Sequence, residues 1–243
     1  MSATQASPDL VLSLLFAGHF LADFVFQSRR MVEGKRDHAR WLLVHGAEVL
    51  LVQSSALLPF LPHARSIGAL LFVATTHVAI DALKVRVERR FGRRLAWFVA
   101  DQLLHVAVLF VAARWMLATE IEVSRFTTHR LVPLAWTVGL YAFNVNGGSA
   151  IVSAVLEGLR PGAKAGAAGN RAGRLIGILE RMAMLTLVAL GEWSALGFIL
   201  AAKSVARFKE LEDREFAEAY LVGTLTSFLV AGASGLLLRA LVR

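Results

Sequence analysis

The chain contains no cysteine in its 243 residues, which excludes disulfide bridges, thiolate metal ligands and cysteine nucleophiles together. Any metal bound here has to be held by nitrogen and oxygen. Charge is also scarce: 18% of the residues are charged against 56% hydrophobic, and the mean hydropathy is +0.59, a balance too apolar for a soluble domain of this size. The sequence has no phosphate-cradling Gly-Lys-Ser/Thr loop, no dinucleotide fingerprint, no His-Glu-x-x-His and no Gly-x-Ser-x-Gly elbow. Hydrolysis, if it occurs, therefore needs a metal-activated water. The opening residues MSATQASPD lack the basic region of a cleaved signal peptide, so the first apolar span is expected to stay in the mature protein. No solenoid-type repeat and no low-complexity tract stands out.

What is present are eight apolar stretches near the length needed to cross a bilayer, about 20 residues each. They lie at 9–27, 41–61, 66–84, 95–117, 133–157, 173–191, 193–206 and 218–240, the seventh being short and carrying Lys203. The expected fold is an all-α polytopic bundle. A four-span His/Asp-rich domain, 1–130, is followed by a four-span domain, 131–243, with a Gly/Ala-rich linker at 160–173. The formal net charge of +8 comes in clusters: Arg29, Arg30, Lys35, Arg36 and Arg40 after the first span, and Lys84, Arg86, Arg89, Arg90, Arg93 and Arg94 after the third. Arg160, Lys164, Arg171 and Arg174 follow the fifth span, and Lys203, Arg207, Lys209 and Arg214 the seventh. Every odd connection is basic. This places odd loops in the cytoplasm and both termini outside, with the cations against anionic lipid rather than nucleic acid.

Inside the first span, SLLFAGHFLADFVFQ, residues His19, Asp23 and Gln27 recur every fourth position and so share one helical face. Such groups are costly in a lipid-length segment and point into a bundle or cavity. The device repeats: His77 and Asp81 have the same spacing, Asp101 and His105 have it in reverse order, and His45 precedes Glu48 by three. With alternating span direction, the reversed order restores one spatial arrangement, Asp nearer the cytoplasm than His. Three helices then present matched pairs in the inner third of the membrane, and His45 with Glu48 reaches the same depth. Neutral imidazoles and carboxylates suit zinc, manganese or non-haem iron. The metal candidates are His19, Asp23, His45, His77, Asp81, Asp101 and His105, with His19, His77, Asp81 and Asp101 first by depth. Lys35, in the loop, is expected at the surface. Hydrogen-bonded polar pairs between helices are the plainer use of such residues.

The pattern HFLADFVFQ, Lys35, a His on the next helix, HVAID with a following Lys84, and DQLLH resembles the DUF3307 family of bacterial membrane proteins. The run from Gly173 to Ser227 is similar to the second half of longer members. The resemblance implies a multi-pass protein of the bacterial inner (cytoplasmic) membrane and little about function. A looser similarity, to inner-membrane metal-dependent hydrolases with His and Asp on helices, is analogy.

In the second half, Arg181, Lys203 and Arg207 are candidates to bind a phosphate or lipid headgroup, or to form ion pairs or reach the interface. Glu48 and Glu180 are the candidate catalytic carboxylates. Asn144 and Asn146, followed by Gly147 and Gly148, either break the fifth span around a ligand or let helices pack closely, and Phe208–Tyr220 reads as a charged helical connection. Three functions fit: an intramembrane metal-dependent hydrolase of a lipid-like substrate, a metal-ion or proton transporter, and a non-enzymatic sensor or scaffold. Membrane lipids are the partners implied, and a homo-oligomer is compatible with each. The outer halves of the first four spans are almost wholly apolar, which weighs against a continuous pathway. A reporter fused after Arg36 or Arg90 is expected to read cytoplasmic, and one near Pro62 or Thr128 to read outside; the opposite result at both pairs would invert the site.

Overall fold

The computed structural model describes residues 3–5, 7–61, 63–92, 94–118, 122–159 and 171–242. The fold is all-α, with one three-residue antiparallel pair, β1 (Ala3–Gln5) on β2 (Glu122–Ser124). The helices are α1 (Pro8–Leu21), α2 (Arg29–Asp37), α3 (Arg40–Ala56), α4 (Ala64–Phe91), α5 (Leu95–Met116), α6 (Arg125–Leu159), α7 (Arg171–Leu190), α8 (Trp193–Ala206) and α9 (Arg214–Val242). Five are long and apolar enough to cross a membrane: α1 with its continuation to Phe26, α4, α5, α6 from Thr128, and α9. At the other three expected spans, α3 has 17 residues, α8 has 14, and α7 carries Arg174, Glu180 and Arg181. Large apolar side chains stand exposed along the helices, among them Leu51, Leu103, Phe110, Phe198 and Leu229, as a lipid-facing surface requires. The linker residues 160–170 lie outside the described residues.

Tertiary contacts divide the chain into two compact units, Met1–Ala142 and Phe143–Arg243. In the first, α1 packs on α3 and α5, and α4 packs on α3 and α5, closing a four-helix ring. Neighbours in the ring are antiparallel. The Gln53 amide donates to Leu15 O while His45 meets Asp23, and Trp115 lies on Phe72 while Lys84 meets Asp101. One half of the ring is thereby apolar, with Leu10, Leu14, Leu15, Val49, Leu57, Leu70, Val73, Leu109 and Met116 forming the core. The titratable residues of the cluster fall in the other half. Close approach is needed there, and Gly46 provides it, since a Cβ at that position would run into Val78 of α4.

α1 does not continue as an α-helix. Ala22–Phe26 form a π-helical turn, closed by Gln27 N–H donating to Ala22 O at 3.0 Å, and the backbone then becomes extended at Gln27. The expected three-residue face therefore ends at Asp23, because the widened turn breaks the four-residue register before Gln27. Such turns concentrate at functional sites. α4 runs past the expected end of the third span, so Lys84 lies on a helix rather than in a loop.

In the second unit α7 packs on α8 and α9 around Met184, Val188, Leu196 and Ala231. α6 is unbroken through Asn144–Gly148, which leaves close packing as the use of those residues: Asn144 donates to Ser234 Oγ at 2.9 Å, and a Cβ at Gly148 would lie 2.7 Å from Arg181 Nε. The charged stretch after α8 is a short 3-10 turn, Glu210–Glu212, followed directly by α9. Gly46→Ala is expected to cost about 1–3 kcal/mol by forcing α3 off α4. An unchanged thermal midpoint in detergent would contradict the close approach.

Candidate metal centre

The four span histidines and three aspartates form one cluster inside the first unit. His19, His45, His77, Asp81, Asp101 and His105 are each between 0% and 7% exposed, and the Asp23 side chain is 10% exposed. At its centre, Nε2 of His45 and Nε2 of His77 lie 3.0 Å apart, and both face the same oxygen of Asp23, Oδ1, at 3.2 and 3.3 Å. Three helices deliver these atoms, α3, α4 and the π-turn after α1. Asp81 Oδ2 flanks the triangle at 3.9 Å from His45 Nε2 and 3.8 Å from His77 Nε2, and His19 Nε2 stands 3.9 Å from Asp23 Oδ2. His105 continues the cluster, its ring centroid 4.2 Å from that of His77 and 5.0 Å from that of His19.

Hydrogen bonds place a proton on one nitrogen of each of two rings. Glu48 Oε2 accepts at 3.0 Å from His45 Nδ1, so that nitrogen carries a proton and Nε2 is the atom turned to the triangle. The Asp101 carbonyl accepts from His105 Nδ1 at 2.9 Å, which turns His105 Nε2 to the cluster. A network of hydrogen bonds alone does not close. His19 Nε2, His77 Nδ1, His105 Nε2 and Asp101 Oδ1 are buried with no hydrogen-bond partner among the described residues, each at a cost of about 1–3 kcal/mol. A cation fits the triangle better. Ligand distances of about 2.0–2.2 Å put neighbouring ligand atoms about 2.8–3.6 Å apart, from octahedral to tetrahedral, and the observed edges of 3.0, 3.2 and 3.3 Å fall within that range. Three overlapping groups could hold an ion, each with donor atoms within 4.8 Å of one another: His19, Asp23 and His77; His45, His77 and Asp81; Asp81, Asp101 and His105.

Depth ranks Asp23 and His45 behind His19, His77, Asp81 and Asp101; in the structure the shortest distances join Asp23, His45 and His77. The π-turn places Asp23, which helical spacing does not give, whereas Glu48 aims His45 from the next turn of the same helix.

Lys35 is a correction. It is 8% exposed and its ammonium donates to Asp81 Oδ2, because α2 folds back with Met31 and Lys35 turned inward, Gly34 lying against Trp41 and Arg36 bonded to Glu88 at 3.0 Å. Lys84 donates to Asp101 Oδ2 at 2.7 Å, and Gln102 Nε2 donates to the same oxygen at 3.1 Å. Sequence spacing held a partial signal: Lys84 follows Asp81 by three on α4, and Lys35 follows Met31 by four on one face of α2, but the pairing of each lysine with its carboxylate is a tertiary contact.

In the second unit each charged candidate has a partner. Lys203 Nζ donates to Glu180 Oε2 at 2.5 Å and Arg207 Nη1 to Glu210 Oε2 at 2.7 Å. Arg181 is buried, with Nε donating to the Asn144 carbonyl at 3.0 Å and Nη2 to Ser149 Oγ at 2.5 Å.

Fold and site define a helical membrane protein with a buried His/Asp cluster of metal-binding composition. The model of the family described as "Protein of unknown function (DUF3307)" matches residues 11–132, and the chain belongs to that family. The matched stretch holds all seven cluster residues, Glu48 and both lysines; the likeness of the later run, from Gly173, lies outside it. No curated protein and no solved structure matches the chain.

Lys35→Ala is expected to leave Asp81 buried and unpaired, lowering stability by about 3–5 kcal/mol. Arg214→Ala, whose side chain is 92% exposed, should change it by no more than about 0.5 kcal/mol. Equal thermal midpoints for the two variants would return Lys35 to the surface.

Proposed function

We propose that the cluster is the centre of a metal-dependent hydrolase acting on a lipid-like substrate from the cytoplasmic leaflet of a bacterial inner membrane. Zinc is the first candidate ion, manganese or iron the alternatives. The observation that carries this reading is the triangle of Asp23 Oδ1, His45 Nε2 and His77 Nε2, a donor set of one carboxylate and two imidazoles. A fourth donor comes from His19 or Asp81, which flank it. A bound divalent ion supplies Lewis acidity and brings the pKa of a coordinated water toward neutrality.

The chain's own residues do the rest. Glu48 holds the His45 ring in the tautomer that presents Nε2, the carboxylate–histidine arrangement common beside metals. This makes Glu48 a positioning residue. Lys35 and Lys84 neutralise Asp81 and Asp101 and hold their oxygens in place. The apolar half of the ring excludes water from one side, which favours an enclosed centre over a transport pathway. Glu180, in the second unit, is neutralised by Lys203 and is assigned no step.

The test has two parts. Protein purified in detergent should retain a metal that His45→Ala, His77→Ala or Asp23→Asn abolishes, while Glu48→Gln weakens binding about 10- to 100-fold. Loaded with zinc and reconstituted with bacterial lipid extract, it should release a product detectable by mass spectrometry that His77→Ala does not form. Metal retention unchanged in all three ligand variants would contradict the centre, and metal without any lipid turnover would contradict the hydrolase.

A further inference from the structure

Beside the triangle lies a second set of donors. Asp81, Asp101 and His105 offer atoms within 4.8 Å of one another, all from buried side chains. Two of their atoms, Asp101 Oδ1 and His105 Nε2, have no hydrogen-bond partner among the described residues. In a metalloprotein this arrangement, sharing Asp81 with the group of His45, His77 and Asp81, is a seat for a second ion. Two ammonium groups already stand on it: Lys35 Nζ on Asp81 Oδ2 and Lys84 Nζ on Asp101 Oδ2 at 2.7 Å.

Counting charge decides between the occupants. The cluster buries or half-buries four carboxylates, Asp23, Glu48, Asp81 and Asp101, and two lysines, Lys35 and Lys84, leaving two negative charges. One divalent ion at Asp23, His45 and His77 brings the site to neutrality. A second would leave two uncompensated positive charges inside an apolar bundle, where they cannot be solvated.

Resting on the metal-centre reading, we propose that the wild-type centre holds one ion, and that Lys35 and Lys84 are fixed cations occupying the seat of a second. They supply beside the ion the positive charge that another metal supplies in two-metal sites, without having to be bound from solution.

The test is the stoichiometry of zinc on the full chain in detergent, stripped with chelator, reloaded with Zn²⁺ alone and measured by elemental analysis. Wild type should hold one zinc per chain. Lys84→Met, which removes the ammonium from Asp101 Oδ2 and leaves that oxygen bonded to Gln102, should hold two, and so should Lys35→Met. The double variant Lys84→Met/Asp101→Asn, which removes the cation and its carboxylate together, should return to one. Helical circular dichroism and a monodisperse elution profile report folding; if Lys84→Met fails them, Lys84→Gln carries the same comparison. Two zinc ions on wild type, or one on every lysine variant, would overturn this proposal while leaving the metal centre standing. No zinc on wild type would overturn both.

Discussion

Burying carboxylates in a bundle of apolar helices is the constraint on which the rest of this structure depends. A charged group in the middle of a membrane segment costs a few kcal/mol even on insertion scales, and Asp23, Asp81 and Asp101 meet at one place. The fold answers with cations and lone pairs brought from every side. Lys35 and Lys84 cover two of the three, whereas Asp23 meets imidazoles from two other helices. An imidazole ring offers a full compensating charge only when both its nitrogens are protonated, and His45 already spends its Nδ1–H on Glu48. A divalent ion would meet this shortage, since it turns converging lone pairs from a repulsion into ligation.

Local structure is bent to the same end. The π-turn at Ala22–Phe26 interrupts α1 where Asp23 has to face α3 and α4, and Gly46 lets α3 lie against Val78 beside His45. α2 serves no spanning purpose with nine residues; it returns Lys35 to Asp81 and Arg36 to Glu88, closing the polar end of the ring. At the opposite end Leu10, Leu15, Val49, Leu57, Leu109 and Met116 fill the interior, with Ser13, Gln53 and Ser66 as buried polar exceptions. The cluster is thus enclosed between α2 on one side and the apolar core on the other.

Much of this is legible in the amino-acid sequence. Alternating polarity of loops and the reversal of His and Asp between the third and fourth spans place the pairs at one level, because helix direction and residue spacing are properties of the chain itself. Irregular backbone and packing set the rest. A π-turn has no reliable signature in one sequence, so Asp23 and Gln27 read as equivalent although the helix ends at Gln27. Lys35 reads as a loop cation because a nine-residue amphipathic helix folding back on the bundle is a tertiary event. In the second half, Arg181 reads as an anion site; its guanidinium instead bonds to the main chain of α6, in space left by Gly148, a pairing between distant residues that periodicity does not encode.

X-ray absorption at the zinc edge of reloaded wild-type protein tests the central claim most directly. The account predicts a first shell of mixed nitrogen and oxygen at about 2.0–2.1 Å, with the outer scattering of two or three imidazoles. A shell of oxygen alone, without imidazole scattering, would mean that zinc sits on exposed carboxylates, and would contradict a centre built from His45, His77 and Asp23.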